Sequence, residues 1–370
     1  MSEAVIAADL DAGPVPIPKA SQGFTPAWLT RALAAPVVAV EAQRIGEGVG
    51  VLSELHRLTL AYGAGPPGPA SLIAKLHASA PEVREICALY GVYEREVRFY
   101  RDVAATVELR TPEVYFSAFD PASGDCVILL EDLAPAASPD QVAGISLGEL
   151  TEAIDGIASL HARWWAHPRL DELRAIMPRA AEPPYADVAE NFRACLPSAL
   201  EALGARGHHG LVRVSRRLAG AIEGLLSAIS TPPLTLCHGD FRTDNLMFRE
   251  NPEGRELTVI DWQVVMQARG PFDLGYLMGG AVPTDLRRKN EDELLRRYHG
   301  RLVDLGVAGY GFDECRLDYR RSVLFSLVYW VEGLALADPS SSRAAALFGC
   351  WAERLAAAVD DLHLESLVSP

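Results

Sequence analysis

The sequence predicts an α+β chain in two lobes, a small antiparallel sheet followed by a larger, mainly helical region. Three observations carry this. Between Val37 and Leu76 short runs rich in Val, Ile and Leu alternate with glycine and proline, the pattern of short strands and turns. Beyond residue 139 apolar side chains recur at spacings of three and four, the period of helices. With 370 residues the chain also exceeds the size at which a single core usually stops growing. The Ala-, Pro- and Ser-rich stretch 134–139 marks the boundary, which gives a tail (1–22), a first lobe (23–133) and a second lobe (134–370).

Each element has its own signal. The tail is small, acidic and Pro-rich. Thr25 before Pro26 is a helix N-cap with proline at the first helical position. Residues 37–45 and 52–62 read as strands joined by a turn containing Gly46, Gly48 and Gly50, and 71–77 as a third strand after Pro66 to Pro69. Residues 82–105 read as one helix, with Ile86, Leu89, Tyr93, Val97, Tyr100 and Val103 on its apolar stripe. Strands are expected at 113–119 and 126–130. Ser146 and Glu149 form a capping-box pattern that opens a helix carrying His161, Trp164 and Trp165 until Pro168. Further helices are expected at 186–203, 211–228, 285–305, 314–336 and 341–363.

Composition narrows the function. Hydrophobic residues make up 49% and charged residues 22%, an ordinary globular balance that argues against extensive disorder. A formal net charge of −15 argues against a general nucleic-acid binder, which needs a basic stripe. Arg287, Arg288, Lys289, Arg296 and Arg297 alternate with acidic residues and read as a solvated helix face. The six cysteines show no CxxC pair, so zinc and a disulfide framework are poorly supported. No basic segment followed by an apolar run opens the sequence, and the longest apolar stretch, 323–337, carries Glu332 and is too short to span a bilayer. A cytoplasmic protein with no membrane span and no obligate protein partner is expected.

The chemistry concentrates between residues 234 and 263. An apolar lead-in runs into His238, Gly239 and Asp240; Asn245 follows five residues after Asp240; a second short strand then ends in Ile260, Asp261 and Trp262. Mg²⁺ takes oxygen ligands and is usually held by one or two protein groups together with substrate phosphates, a requirement that Asn245 and Asp261 meet. Asp240 suits the base that orients and deprotonates an attacking hydroxyl in phosphoryl transfer.

These motifs resemble those of the aminoglycoside phosphotransferase and choline kinase superfamily, relatives of protein kinases. With Glu131, Asp132 and Leu133, with Leu160 to Trp165, and with His238 to Phe248, the wording is similar to the ecdysteroid-kinase-like branch. The resemblance spans roughly residues 37–335 and implies a bilobal protein-kinase-like fold that uses ATP and Mg²⁺. It makes Asp240 the catalytic base and Asn245 and Asp261 the metal ligands, with His238 and Asp273 as structural supports. Gly46, Gly48 and Gly50 become a phosphate loop, where glycine lets backbone N–H groups approach phosphate. Lys75 takes the place of the lysine on the α and β phosphates and needs a carboxylate. Glu96, with Val92, Tyr93, Phe99 and Tyr100 at helical spacing, is favoured over the more exposed Glu94. The strand ending at Glu131 and Leu133 would pair its backbone with adenine. Asp132 reads as a surface charge, a capping group or a ribose contact. His161, Trp164 and Trp165 read as core packing, and Asp244 as a loop cap rather than a third metal ligand.

The expected function is an ATP- and Mg²⁺-dependent kinase acting on a small-molecule hydroxyl. The branch favours a bulky, largely apolar alcohol such as a sterol, terpenoid or polyketide. A cationic amino sugar or choline-like acceptor and a hydroxyacyl thioester are the alternatives. Outside that class stand a silent nucleotide-binding regulatory module, a hydrolase using Asp240 and Asp261, and a protein kinase. The complete residue set counts against the first, and the lack of an activation-like segment between Asp261 and Asp273 against the last.

Overall fold

The computed structural model describes residues 15–46, 52–66, 68–252 and 254–368. Gly48 and Gly50 lie outside the described residues. The chain divides into two units: one holds the residues up to Ala105 together with Thr111–Ala134, the other Thr106–Arg110 and everything from Pro135 onward.

The smaller unit opens with α1 (Pro26–Leu33), whose first turn is closed by the Thr25 side chain accepting from Trp28 N at 3.2 Å. Its strands are β1 (Val37–Ile45), β2 (Ser53–Tyr62), β3 (Ser71–His77), β4 (Val114–Phe119) and β5 (Cys126–Glu131). They form one antiparallel sheet in the order β1-β2-β3-β5-β4. The two-residue period of a strand sorts its side chains: Leu72, Ala74 and Leu76 of β3 enter a core with Leu58, Val127, Leu129, Phe24 and Trp28, while Lys75 points to the opposite face. The helix expected over 82–105 is two helices, α2 (Pro81–Leu89) and α3 (Val92–Asp102). The break falls at Gly91, whose φ of +62° is a left-handed conformation that glycine takes without a steric penalty.

In the larger unit α4 (Leu147–Trp164) starts with the capping box, Ser146 Oγ accepting from Glu149 N and Glu149 Oε2 accepting from Ser146 N. It is followed by α5 (Arg169–Leu173), α6 (Val188–Ala205) and α7 (His209–Ile229). Four short strands come next: β6 (Thr235–Cys237), β7 (Leu246–Asn251), β8 (Gly254–Val259) and β9 (Met266–Ala268). β7 and β8 form a hairpin and β6 pairs antiparallel with β9. Helices α8 (Pro271–Gly280), α9 (Thr284–Asp304), α10 (Phe312–Leu336) and α11 (Ser342–Asp361) complete it. The sequence does not announce α8, because all ten of its residues are buried and no amphipathic stripe marks it. It packs closely on α10: a side chain at Gly275 would collide with Ser322.

Two local differences have physical reasons. Thr106–Arg110 packs with the larger unit because Val259 N donates to Arg110 O at 2.9 Å and the Arg110 guanidinium donates to Thr258 Oγ1. Arg287, expected on a solvated face, is only 1% exposed and pairs with Glu291 and Asp361, whereas Arg288, Arg296 and Arg297 are exposed. Arg354 of α11 is also buried and donates to the carbonyls of Gln141, Val142 and Gly280 at 2.7–2.9 Å. The six cysteines are free thiols. No helix among the described residues is long and apolar enough to cross a membrane.

Candidate active site

The site is built where β6 ends and α8 begins. Asp273, in the first turn of α8, is wholly buried; its Oδ2 accepts from His238 N at 2.7 Å and its Oδ1 from Gly239 N at 2.9 Å. The helix N-terminus favours that negative charge. His161 Nε2 lies 3.0 Å from Asp273 Oδ2, and its Nδ1 lies 2.8 Å from Tyr298 Oη. With Nε2 donating to the carboxylate, Nδ1 accepts from the Tyr298 hydroxyl. Cys237 stands beside this knot, its thiol pushed well up by burial and directed at Arg269 O. His161, read from sequence as core packing, is therefore a buried hydrogen-bonding group.

Gly239 has φ +86°, and a side chain there would collide with the Val264 carbonyl. Its own carbonyl accepts from Tyr329 Oη at 3.0 Å, a contact from α10. His238 accepts from Asp240 N at 3.2 Å on Nδ1, so Nε2 donates to Ile260 O at 2.9 Å, and its ring lies 4.5 Å from that of Trp262.

Asp240 is partly buried, and its Oδ2 accepts from Arg242 Nε at 3.2 Å and from Asn245 Nδ2 at 3.0 Å. Asn245 Nδ2 also donates to Asp240 O at 2.8 Å. Arg242 pairs with Asp244 as well; the Asp240 charge beside it is the main cause that holds its pKa above the usual guanidinium range. Burial, then the same Asp240 charge, pushes the Tyr276 phenol well up. Ile260 N donates to Asn245 O at 3.0 Å, which sets Asp261 beside Asn245, and Gln263 Nε2 is 3.4 Å from Asp261 Oδ2. Asp261 has φ +67°, a left-handed backbone in which Asp is among the few tolerated side chains.

The smaller unit holds the remaining residues. Lys75 Nζ is 2.9 Å from Glu96 Oε1 and 2.7 Å from Oε2, and the two are 8% and 2% exposed. Glu94 faces Arg98 at 4.0 Å instead. Gly46 has φ +70° after β1. Glu131 closes β5 with its N–H donating to Glu113 O at 2.8 Å, and the Leu133 side chain is buried. Asp132 is not an open surface charge: it accepts from Arg57 Nε at 2.7 Å, Ser71 Oγ at 2.6 Å and Ala134 N at 3.2 Å.

Sequence reasoning passed over Arg242, Tyr276 and Tyr329. Arg242 had a signal, a cation two residues from Asp240. Tyr329 had none, because its contact with Gly239 spans 90 residues.

Comparison with solved structures shows a kinase-like fold. A candidate aminoglycoside phosphotransferase from Ralstonia eutropha JMP134 matches with a TM-score of 0.57 and 17% identity, over 92% of this chain and 97% of that one. A Plasmodium vivax ethanolamine kinase gives 0.53 and 12%, over 88% and 81%. The GDP and kanamycin complex of APH(2″)-IIIa gives 0.52 and 10%, over 89% and 94%. More narrowly, the chain belongs to the ecdysteroid kinase-like family, whose model matches residues 47–307. A search of curated proteins gives no match.

Proposed function

We propose that this protein transfers the γ-phosphoryl group of ATP to a hydroxyl of a bulky, largely apolar alcohol. The observation that carries the reading is the holding of Asp240: Arg242 and Asn245 fix one carboxylate oxygen, while Asp273 fastens the preceding backbone. A carboxylate has about four acceptor positions, so Asp240 can still accept an incoming hydroxyl. The hydroxyl oxygen attacks the γ-phosphorus and its proton passes to Asp240. The bond from the γ-phosphorus to the bridging oxygen breaks, and that oxygen leaves with ADP. Positioning and charge stabilisation supply the acceleration.

The residues present fit Mg²⁺. Asn245 spends its amide N–H on Asp240, which leaves its carbonyl oxygen, and Asp261 adds a carboxylate, a pair of hard oxygen donors that suits this ion. When bound, Mg²⁺ offsets charge on the phosphate oxygens. Lys75, kept in place by Glu96, would do the same for the α and β phosphates, with Gly46, Gly48 and Gly50 giving backbone N–H groups. Glu131 and Leu133 would meet the adenine through their backbone. The rings of Phe272, Tyr276, Phe325 and Tyr329 pack at 4.8–6.3 Å from one another beside the loop and support an apolar acceptor.

The test is mass spectrometry after incubation with ATP, Mg²⁺ and a pool of sterols, terpenoids, polyketides, hydroxyacyl thioesters, amino sugars and choline. Wild type should add phosphate to an apolar alcohol, and Asp240→Asn should not. Equal transfer by Asp240→Asn removes the assignment of the base; transfer to choline or an amino sugar alone removes the apolar acceptor.

A further inference from the structure

The ladder between β2 and β3 ends on a side chain. At one end Leu60 N donates to Ala70 O at 2.9 Å, and hydrogen-bonded pairs of an antiparallel ladder recur every second residue. Counted in twos along the same register, which runs to Ser53 opposite His77, the next such pair is Leu52 with Ala78. A direct bond from Ala78 N to Leu52 O would close the ladder there. Tyr93 stands in its place: its Oη accepts from Ala78 N at 2.8 Å and donates to Leu52 O at 2.7 Å.

The inserted phenol comes from α3 and is 4% exposed. Three residues further along the helix, on the same face, Glu96 holds Lys75. Lys75 and Ala78 are also three residues apart. Helix α3 therefore grips the β3 segment twice, at Lys75 through Glu96 and at Ala78 through Tyr93. The second grip alone extends to Leu52, the residue that leads from the glycine turn into β2; Cys87 Sγ of α2 also reaches Leu52 O, at 3.7 Å. Burial pushes the Tyr93 phenol up, so its O–H stays available to donate near neutrality. A ladder that served only the sheet would close with its own backbone groups. The phenol adds a link from the stem of the turn to the helix that positions Lys75.

We propose that Tyr93 is a positioning residue for the phosphates of the nucleotide, holding the stem of the turn that carries Gly46, Gly48 and Gly50 in fixed register with Lys75. The inference rests on the phosphotransferase reading above. Tyr93 acts through Leu52 and touches no phosphate itself. The base, assigned above to the backbone of Glu131 and Leu133, is outside its reach. Binding is reciprocal, so phosphates held by the turn and Lys75 must in return tighten the Tyr93 bonds.

The experiment measures calorimetric affinity of the full chain for MgATP and for adenosine in wild type, Tyr93→Phe and Tyr62→Phe. Tyr62→Phe is the control, because it deletes the same kind of bond, from a phenol to the carbonyl of Pro69 at 2.9 Å, at the other end of β2. Tyr93→Phe should lower the ratio of MgATP to adenosine affinity roughly tenfold, and Tyr62→Phe should leave it within about twofold of wild type. An equal loss for both ligands, or equal changes in both variants, shows a purely structural phenol and overturns the proposal. Circular dichroism melts check folding. If Tyr93→Phe does not fold, hydrogen exchange on wild type decides: MgATP should slow the Ala78 amide about threefold more than the Leu60 amide at the far end of the ladder, and equal protection overturns the proposal. Failure of folded wild type to bind MgATP removes the phosphotransferase reading and this inference with it; binding with an unmoved ratio in Tyr93→Phe removes the inference alone.

Discussion

His161 and Asp273 are 112 residues apart in sequence and 3.0 Å apart in the structure, joined through Nε2 and Oδ2. The contact completes the hydrogen bonding of a carboxylate that already holds two successive backbone N–H groups. A buried anion with three donors is rigid, and the rigidity passes to the loop that carries Asp240.

Replacing Asp273 by Ala should therefore injure both fold and chemistry. Two N–H donors lose their partner, at a cost of about 2–4 kcal/mol in stability. On the proposed phosphotransferase reading, activity should fall roughly 100-fold in kcat with little change in KM for ATP, because the loop is displaced while the residues proposed to meet the nucleotide are untouched. His161→Ala should show a weaker version of both effects. Chemical denaturation and steady-state kinetics on the two variants check this.

Lys75 and Glu96 form a nearly sealed pair. Lys75→Met takes the cation away from a buried carboxylate and should cost about 3–5 kcal/mol. Adding Glu96→Met should restore part of that loss. A double-mutant cycle by urea unfolding reads a coupling of about 1 kcal/mol or more if the pair is energetically real.

Arg242 touches Asp240 and Asp244 together. Arg242→Ala should lower kcat roughly 10- to 100-fold by releasing the Asp240 carboxylate, and Arg242→Lys should recover part of it. A loss confined to protein yield, with normal kcat in the folded fraction, would show a purely structural role.

Glu332 gives a pH signature independent of any ligand. Its folded-state carboxyl is raised from 4.5 to about 7 by burial, so the folded chain binds the proton more tightly than the unfolded one. Stability is therefore lost as pH rises through this window. Glu332→Gln removes the ionisation. Its melting temperature should exceed that of wild type above about pH 7, and the gap should close as pH falls toward 4.5. Cys195 and Tyr329, the titratable groups beside it, ionise above this range, with burial raising both.

The sheet was largely legible because its strands are short apolar runs separated by glycine and proline; β1 and β3 begin and end where the sequence places them. Helices with an apolar stripe, such as α4 and α7, were legible for the same reason. Helix α8 was not, since a segment buried on every side has no stripe to read. The break at Gly91 was hidden by apolar spacing that runs across it. In the site, Asp240, Asn245 and Asp261 lie within one short segment, and local spacing suffices to group them. His161 against Asp273, Tyr329 against Gly239 and Asp132 against Arg57 join distant stretches, and only the fold brings them together.

Asp261 sits in a left-handed backbone, and the residues that enter that region most easily are glycine and asparagine. Both are single-base neighbours of aspartate in the genetic code. On the metal-holding role proposed for Asp261, the glycine neighbour would keep the turn and discard the ligand. A folded, inert descendant of this enzyme therefore lies one nucleotide away, so a lineage could retire the chemistry and retain the scaffold in a single step.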